Sequence, residues 1–280
     1  MKINTMTLVA ANKFEFKNEI QGLRVISIFL VALYHVGCLG VSGGVDLFIC
    51  ISGYFLGIHY LKIIYREQKY SAIQHVGSIV VRLLLPTYLF LAFFVIAFRI
   101  INGQVLTSDV INSIVSSLAY LKNFQLINFA YEYASRDNGI DPLVHLWAVS
   151  IIGQLSIISV FIFKAATIYS SRGGVVDRKR AIHFLLVVSL FLASISLAYS
   201  ICSPSKVREA LYFDTFARAY EFLFGIFFSA LRISYDIKRN WLLTLFALLA
   251  FILFGPLFGN GFVYPGWVSF IPVLAGGVLL

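Results

Sequence analysis

Long apolar segments separated by short polar stretches dominate the pattern of the chain. A membrane-spanning helix needs about 20 largely apolar residues, and eight segments reach or approach that length. We predict spans over 22–41, 46–65, 80–101, 145–164, 181–201, 217–233, 241–259 and 266–280. The shorter apolar segment 111–121 is rich in serine, which predicts an interfacial or re-entrant helix. The pattern therefore predicts an all-α, polytopic integral membrane helical bundle.

The composition agrees with a membrane protein. Of the 280 residues, 60% are hydrophobic and 12% are charged, and the mean hydropathy is +0.88. A soluble protein of this composition would expose one continuous apolar surface. The net charge of +9 does not indicate a nucleic-acid partner, because the basic residues are dispersed among the spans. We identify no soluble domain and treat 1–280 as one transmembrane domain. The last span ends at Leu280 without a polar flank, which predicts a chain truncated at its C-terminus.

The distribution of Lys and Arg predicts the orientation of the spans. Cytoplasmic loops of membrane proteins carry an excess of these residues. A cytoplasmic N-terminus places most of the 22 basic residues on the inner side. The basic residues left on the outer side are Arg99, Lys122, Arg136, Lys206, Arg208 and Arg218. The three cysteines have spacings unlike any metal or redox motif, so no metal site is predicted.

Two basic residues interrupt the first span. Arg24 and His35 are eleven positions apart, about three helical turns, so both lie on one face roughly 16 Å apart along the axis. Ionisable residues within a span are costly unless they face protein, a partner or water, and they usually indicate function. Asp46 begins the next helix and can reach back toward His35, and a carboxylate that orients an imidazole is a common way to make a general base. The alternative is that Asp46 only caps a helix and His35 only packs.

Three blocks of the chain resemble the signatures of the membrane acyltransferase 3 family, in family order. The first comprises Gly22-Leu23-Arg24, Tyr34-His35, Gly44-Val45-Asp46, Phe48 and Ile51-Ser52-Gly53. The second comprises Asn123-Phe124 and Pro142-Leu143-Val144-His145-Leu146-Trp147. The third comprises Thr215, Arg218, Glu221 and Gly225. The resemblance extends from about residue 18 to the end of the chain, and it implies about ten spans in a complete member.

The second block departs from the family pattern after Trp147. Ile152 stands where the family usually has Glu or Gln, and Leu155-Ser156 replaces a closing Phe-Tyr pair. Gln154 matches the pattern. Ile152 therefore removes a carboxyl or amide group from one helix face, so that either this group is not required for chemistry or the chain is weakened or inactive.

The third block combines charged residues with a glycine. Asp214, Arg218, Glu221 and Gly225 fall on one face of a helix. Arg218 and Glu221 are spaced to pair and so to neutralise each other within a membrane. A structural ion pair and a contact with substrate are both open. Gly225 is expected to allow close approach of another helix.

Arg82, with Pro86 and Tyr88, resembles the family's basic pair at the entry to the third span, but only one arginine is present because Ile79 stands at the other position. A cytosolic arginine suits the phosphates of a coenzyme A donor through charge-assisted hydrogen bonds. A positive-inside anchor explains Arg82 equally well without chemistry.

The resemblance implies an O-acyltransferase of the bacterial inner membrane, with an acetyl group as the usual cargo. Acyl-coenzyme A would be the cytosolic donor, and a hydroxyl of an extracytoplasmic or lipid-linked cell-envelope glycan the acceptor. No permanently bound cofactor is expected, and the partners are these two substrates and membrane lipids. A catalytically degenerate relative that transports or scaffolds glycan intermediates is the alternative. An ion-coupled transporter that uses the Arg24–His35 face as a proton path is a third hypothesis.

The resemblance also implies a role for each signature residue. His35, oriented by Asp46, would act as general base or transient acyl carrier. Arg24 would stabilise the thioester oxygen or bind the coenzyme phosphates. Arg82 would bind the coenzyme, and His145 and Trp147 would line the acceptor side. The residues expected to contact substrate are Ser52, Arg218 and Glu221.

Overall fold

The computed structural model describes residues 18–35, 43–102, 106–132, 141–172, 175–204, 208–235, 241–258 and 266–280. Within these residues the chain is mostly helical, as predicted. The helices are α1 (Asn18–His35), α2 (Gly44–Tyr65), α3 (Ala72–Ile79), α4 (Leu85–Asn102), α5 (Ser108–Leu118), α6 (Lys122–Glu132), α7 (Leu146–Ser170), α8 (Arg178–Cys202), α9 (Arg208–Leu211), α10 (Thr215–Ser234), α11 (Trp241–Phe258) and α12 (Phe270–Leu279). Two short strands, β1 (Ser171–Arg172) and β2 (Val175–Val176), pair antiparallel and were not predicted.

Four helical segments in the described part of the chain are long and apolar enough to cross a membrane. They are Gly44–Tyr65, Ala72–Ile101, Leu146–Ser170 and Arg178–Cys202. Three shorter apolar helices cover Ile20–Leu33, Trp241–Leu253 and Trp267–Leu279. The helical membrane character of the chain is therefore supported, whereas eight spans and a cytoplasmic N-terminus stay predictions.

The helix α10 lies at the centre of the bundle. It packs against α2 and α8 over most of its length and also contacts α7 and α12. Its apolar side chains, such as Tyr220, Phe222 and Ile226, are buried, and so are its charged residues Arg218 and Glu221. By contrast, α4 and α11 expose large apolar side chains. The charged residues of α10 are thus buried among the helices that pack against it, which is the arrangement expected where charge has to be kept away from lipid.

Glycines bring α2 and α10 into close contact. A Cβ atom at Gly225 would overlap the backbone carbonyl of Cys50, and one at Gly53 would overlap the carbonyl of Phe222. Gly57 lies against Ser229 in the same way. The helices α2 and α10 run parallel, because Asp46 pairs with Arg218 near the start of both helices and Gly57 meets Ser229 further along both. The close helix approach predicted for Gly225 is confirmed.

The helix α7 runs beside α2 in the same direction, because Trp147 and Asp46, near the starts of the two helices, both contact Arg218, and Tyr60 and Phe163 meet further along. The ring of Tyr60 stacks on Phe163 with centroids 4.6 Å apart, and its hydroxyl lies 3.0 Å from Thr167 Oγ1. The three helices α2, α7 and α10 are therefore parallel, and positions along one helix can be matched to positions at the same depth on the others.

A π-helical turn, Val80–Leu84, joins α3 to α4. Pro86 lacks the backbone N–H that would donate to the carbonyl four residues before it, at Arg82. A wider turn at this point is the local response to that missing donor, and such turns often occur at functional sites. Arg82 lies within the turn.

Candidate active site

A cavity of about 580 Å³ opens between α1, α2, α7, α10 and the α3–α4 region. Four cationic side chains line it: Arg24, Lys62, Arg82 and Arg232. None of its described lining residues is Asp or Glu. Among the described residues, none of these four cations forms an ion pair. A cleft lined by one sign of charge concentrates ligands of the opposite sign, so the cavity suits an anion.

The cavity extends along the axis of the helix bundle. Lys62 lies near the end of α2, and Ser52 lies ten residues earlier on the same helix, a rise of about 15 Å. Ile152 and Ser156 of α7 line the Ser52 end, and Arg232 of α10 lines the Lys62 end. The cavity thus joins a cationic end to an end bearing hydroxyl and apolar groups.

Arg24 lies at the Ser52 end of the cavity, because the two rings it contacts flank Ser52 on α2. Its guanidinium carbon is 4.9 Å from the ring centre of Phe55 and 5.7 Å from that of Phe48, which are distances for cation–π contacts. No hydrogen-bond partner for Arg24 Nε is present among the described residues. Arg24, Arg82 and Ser52 line the same cavity, and the roles predicted for them stay predictions.

Sequence reasoning missed Lys62 and Arg232 as site residues. Each stands near the polar end of an apolar helix, where a positive-inside anchor explains it. A signal was nevertheless available, because the predicted topology places Lys62, Arg232 and the N-terminal half of α1 on the same, cytoplasmic side of the membrane. Their convergence with Arg82 required the packing of α2 against α10.

A second cluster of charge is buried near the other end of the bundle. Arg218 Nη1 donates to Asp46 Oδ1 and to Glu221 Oε1, both at 2.6 Å. Arg218 Nε donates to the carbonyl of Tyr212 at 3.1 Å. These three charged side chains are at most 1% exposed. The pair predicted from the spacing of Arg218 and Glu221 is present, and Asp46 joins it from α2.

Aromatic rings close over Arg218. Its guanidinium carbon is 4.7 Å from the ring centre of Tyr212 and 5.5 Å from that of Trp147. Trp147 is buried and also contacts Phe213 at 5.4 Å between centroids. His145, which precedes α7, is exposed. The second and third signatures therefore meet at one end of the bundle, and the acceptor-side roles of His145 and Trp147 stay predictions.

The predicted contact between His35 and Asp46 falls partly outside the described residues. The backbone of His35 ends α1, and Asp46 lies in the first turn of α2, so the two residues belong to the same end of a helical hairpin. The side chain of His35 is not among those described. The described ion-pair partner of Asp46 is Arg218, which the sequence did not predict for it.

Uncharged polar side chains link the second and third signatures. Asn123 Nδ2 donates to Thr215 Oγ1 (3.0 Å), Thr215 Oγ1 to Gln154 Oε1 (2.5 Å), and Gln154 Nε2 to Asn123 Oδ1 (2.9 Å). This closed ring ties α6, α7 and α10 together and satisfies buried groups that would otherwise be costly. Beside it, Lys122 forms an ion pair with Asp141. Burial lowers the pKa of Lys122, and the contact with Asp141 opposes that shift.

Comparison with known proteins identifies the family of the chain. The family described as "Acyltransferase domain" matches residues 17–280. The chain belongs to the membrane acyltransferase 3 family. Similar relatives are the proteins named O-acetyltransferase OatA of Staphylococcus aureus strains NCTC 8325 / PS 47, COL and MRSA252, each 25% identical over 224 residues. The match covers 79% of this chain and 36% of each relative, so the chain spans little more than a third of their length. No solved structure matches the chain.

Membership of this acyltransferase family supports an acyltransferase with membrane character. Among the described residues, no group of three or more His, Cys, Asp or Glu side chains is arranged to hold a metal ion.

Proposed function

We propose that the protein is a multi-pass O-acyltransferase of the bacterial inner membrane. It transfers an acyl group, most often acetyl, from cytosolic acyl-coenzyme A to a hydroxyl of an extracytoplasmic or lipid-linked cell-envelope glycan. The family and the O-acetyltransferase relatives support the reaction class. The observation that carries the donor is the cavity lined by four cations and, among its described residues, by no carboxylate.

The cavity suits coenzyme A in charge and in shape. Lys62 and Arg232 would bind its phosphates, because guanidinium and ammonium groups form strong charge-assisted hydrogen bonds with phosphate. Between Lys62 and Ser52 the cavity follows α2 for about 15 Å, comparable to an extended pantetheine arm. In this pose the phosphates stay at the Lys62 end, which the predicted orientation places in the cytoplasm. The thioester then reaches the level of Arg24, whose charge would stabilise its carbonyl oxygen as negative charge develops there.

The acyl group leaves the cavity at the end nearest to Asp46. In the proposed reaction the nucleophile, either the acceptor hydroxyl oxygen or a ring nitrogen of His35, forms a bond to the thioester carbonyl carbon. The bond from carbon to sulfur breaks, and the sulfur takes up the proton released by the nucleophile, so that the coenzyme leaves as the thiol. His35, oriented by Asp46, takes the proton of an attacking acceptor hydroxyl, or carries the acyl group itself and passes it to that hydroxyl. Arg218 holds Asp46 in place through their ion pair. His145 and Trp147 would lie on the acceptor side.

Release of coenzyme A thiol from acetyl-coenzyme A tests this function. The purified protein in lipid nanodiscs is expected to release thiol when isolated cell-envelope glycan is added. Lys62→Ala and Arg232→Ala should each raise the KM for acetyl-coenzyme A by roughly ten-fold to a hundred-fold, the loss of one charged hydrogen bond. The matched control is Lys164→Ala, because Lys164 is an exposed cation one residue from Phe163 and does not line the cavity.

Two results would contradict the proposal. One is the absence of thiol release with every envelope glycan offered, together with no binding of coenzyme A. The other is thiol release by His35→Ala at the parental rate, which would show that His35 takes no part in the reaction. The donor cavity would be contradicted separately, by a Lys62→Ala variant whose KM for acetyl-coenzyme A is unchanged.

A further inference from the structure

The hydroxyl of Ser156 distinguishes it from most serines of the bundle. Serines within membrane helices commonly donate to the carbonyl four residues before them, as Ser27, Ser52, Ser150 and Ser170 do here. Ser156 is 1% exposed, and its Oγ has no hydrogen-bond partner among the described residues. Ser200 is also buried without a described partner, but it does not line the cavity. Ser156 does line it.

Ser156 and Ile152 lie one helical turn apart on α7, and both face the cavity. Ser52 of α2 lines the same region, but its hydroxyl already donates to the carbonyl of Phe48 at 2.8 Å. The apolar side chains of Ile79 and Leu83 add to the wall. This end of the cavity thus offers one uncommitted hydroxyl beside the guanidinium of Arg24, with apolar side chains around them. A carbonyl that bears an aliphatic chain has the complementary chemistry.

We propose that Ser156 and Ile152 form an acyl subsite of the cavity, and that this subsite accepts acyl chains longer than acetyl. Ser156 Oγ donates a hydrogen bond to the thioester carbonyl oxygen, and the acyl chain lies against Ile152. The inference rests on the proposed donor function and concerns which acyl group is selected. An acetyl group presents a single methyl to this wall, whereas each further methylene buries more apolar surface.

Binding of unacylated coenzyme A, acetyl-coenzyme A and butyryl-coenzyme A to the protein in nanodiscs, measured by calorimetry, tests the subsite. Affinity is expected to increase roughly four-fold for each methylene that is buried, hence by about an order of magnitude from acetyl to butyryl. Ile152→Phe fills the subsite and should abolish this preference while changing the affinity for unacylated coenzyme A by no more than about two-fold. Ile152→Ala, which removes the wall instead, should also weaken the preference.

Ser156→Ala tests the hydrogen bond separately. It should lower the affinity for both acyl thioesters roughly three-fold to ten-fold, the loss of one hydrogen bond, and leave unacylated coenzyme A unaffected. Ser159→Ala is the matched control, because Ser159 is equally buried on the same helix and donates to the carbonyl of Ser156. Ile151→Val is the control for Ile152, since Ile151 is buried but does not line the cavity.

The outcomes separate this inference from the function on which it rests. If the parental protein does not bind unacylated coenzyme A, the donor proposal fails and the subsite fails with it. If unacylated coenzyme A binds, but acetyl and butyryl thioesters bind equally, the subsite alone is overturned. The subsite would also be overturned if Ile152→Phe and Ser156→Ala lowered the affinity for acylated and for unacylated coenzyme A equally, because the effect would then not depend on the acyl group.

Discussion

At the scale of single residues, the buried arginine of α10 has the most demanding environment in the described bundle. Arg218 is surrounded by Asp46, Glu221 and two aromatic rings, and it is fully buried. Burial of charge is costly, and removal of one partner leaves the others uncompensated. The cluster therefore holds α2 and α10 in one register as a unit, and its members cannot be exchanged singly.

Arg218→Met should destabilise the protein by about 3–5 kcal/mol, because it leaves two carboxylates buried without their cation. Replacing all three charges, with Asp46→Leu and Glu221→Leu added, should recover much of that loss. Thermal unfolding in detergent, followed by loss of the monodisperse peak, measures both effects. A single variant that is as stable as the parent would show that the cluster does not contribute to the fold.

Sequence reasoning predicted this cluster only in part. Arg218 and Glu221 are three residues apart on one helix, so local geometry sufficed for their pairing. Asp46 is 172 residues away from Arg218, and no local pattern indicates that α2 packs against α10. The same limit applies to Lys62 and Arg232. In the sequence both resemble residues that flank a membrane span, and only the structure shows that they line one cavity.

At the scale of elements, the contact between α2 and α10 determines where the cavity and the charge cluster lie. The glycines of the first and third signatures, Gly53 and Gly225, allow backbone contact between the two helices. A glycine costs about 1 kcal/mol in helix propensity relative to alanine, so its presence at this contact reflects packing. The sequence predicted this role for Gly225, because a small residue on the charged face has few other uses.

Gly225→Ala should destabilise the protein by about 1–3 kcal/mol, since its methyl group would overlap the backbone of α2. Gly77→Ala is the matched control, because no atom lies within 4 Å of a Cβ at that helical position. The control should be neutral or more stable by up to about 1 kcal/mol. Equal melting temperatures for the two variants would contradict the close packing of α2 and α10.

Helix boundaries show what the apolar pattern does and does not encode. The predicted span 181–201 corresponds to α8 (Arg178–Cys202) and 145–164 to α7 (Leu146–Ser170), because long apolar runs have few alternatives. The helix α6 (Lys122–Glu132) was not predicted. Its hydrogen bonds through Asn123 to α7 and α10 stabilise it, and these contacts are remote in sequence.

At the scale of the whole molecule, the proposed function requires one orientation in the membrane. The cavity's cationic end and the turn between α2 and α3 must face the cytoplasm, where coenzyme A is available. The charge cluster and α5 must then lie toward the outer face. Positive charge in the loops favours this orientation.

Single-cysteine variants in a background without the native cysteines test the orientation. Gln68→Cys, in the exposed turn after α2, should resist a membrane-impermeant maleimide in intact cells and react after permeabilisation. Asp109→Cys, exposed on α5, should react in intact cells. The reverse labelling pattern would place the donor cavity on the wrong side of the membrane for cytosolic coenzyme A.

The most direct test of the central claim is a cryo-EM structure of the protein in nanodiscs with a non-hydrolysable acetyl-coenzyme A analogue. If the cavity is the donor site, the analogue should occupy it, with its phosphates against Lys62 and Arg232 and its acyl end at the level of Arg24. An analogue bound elsewhere, or a cavity that remains empty at saturating concentration, would contradict it.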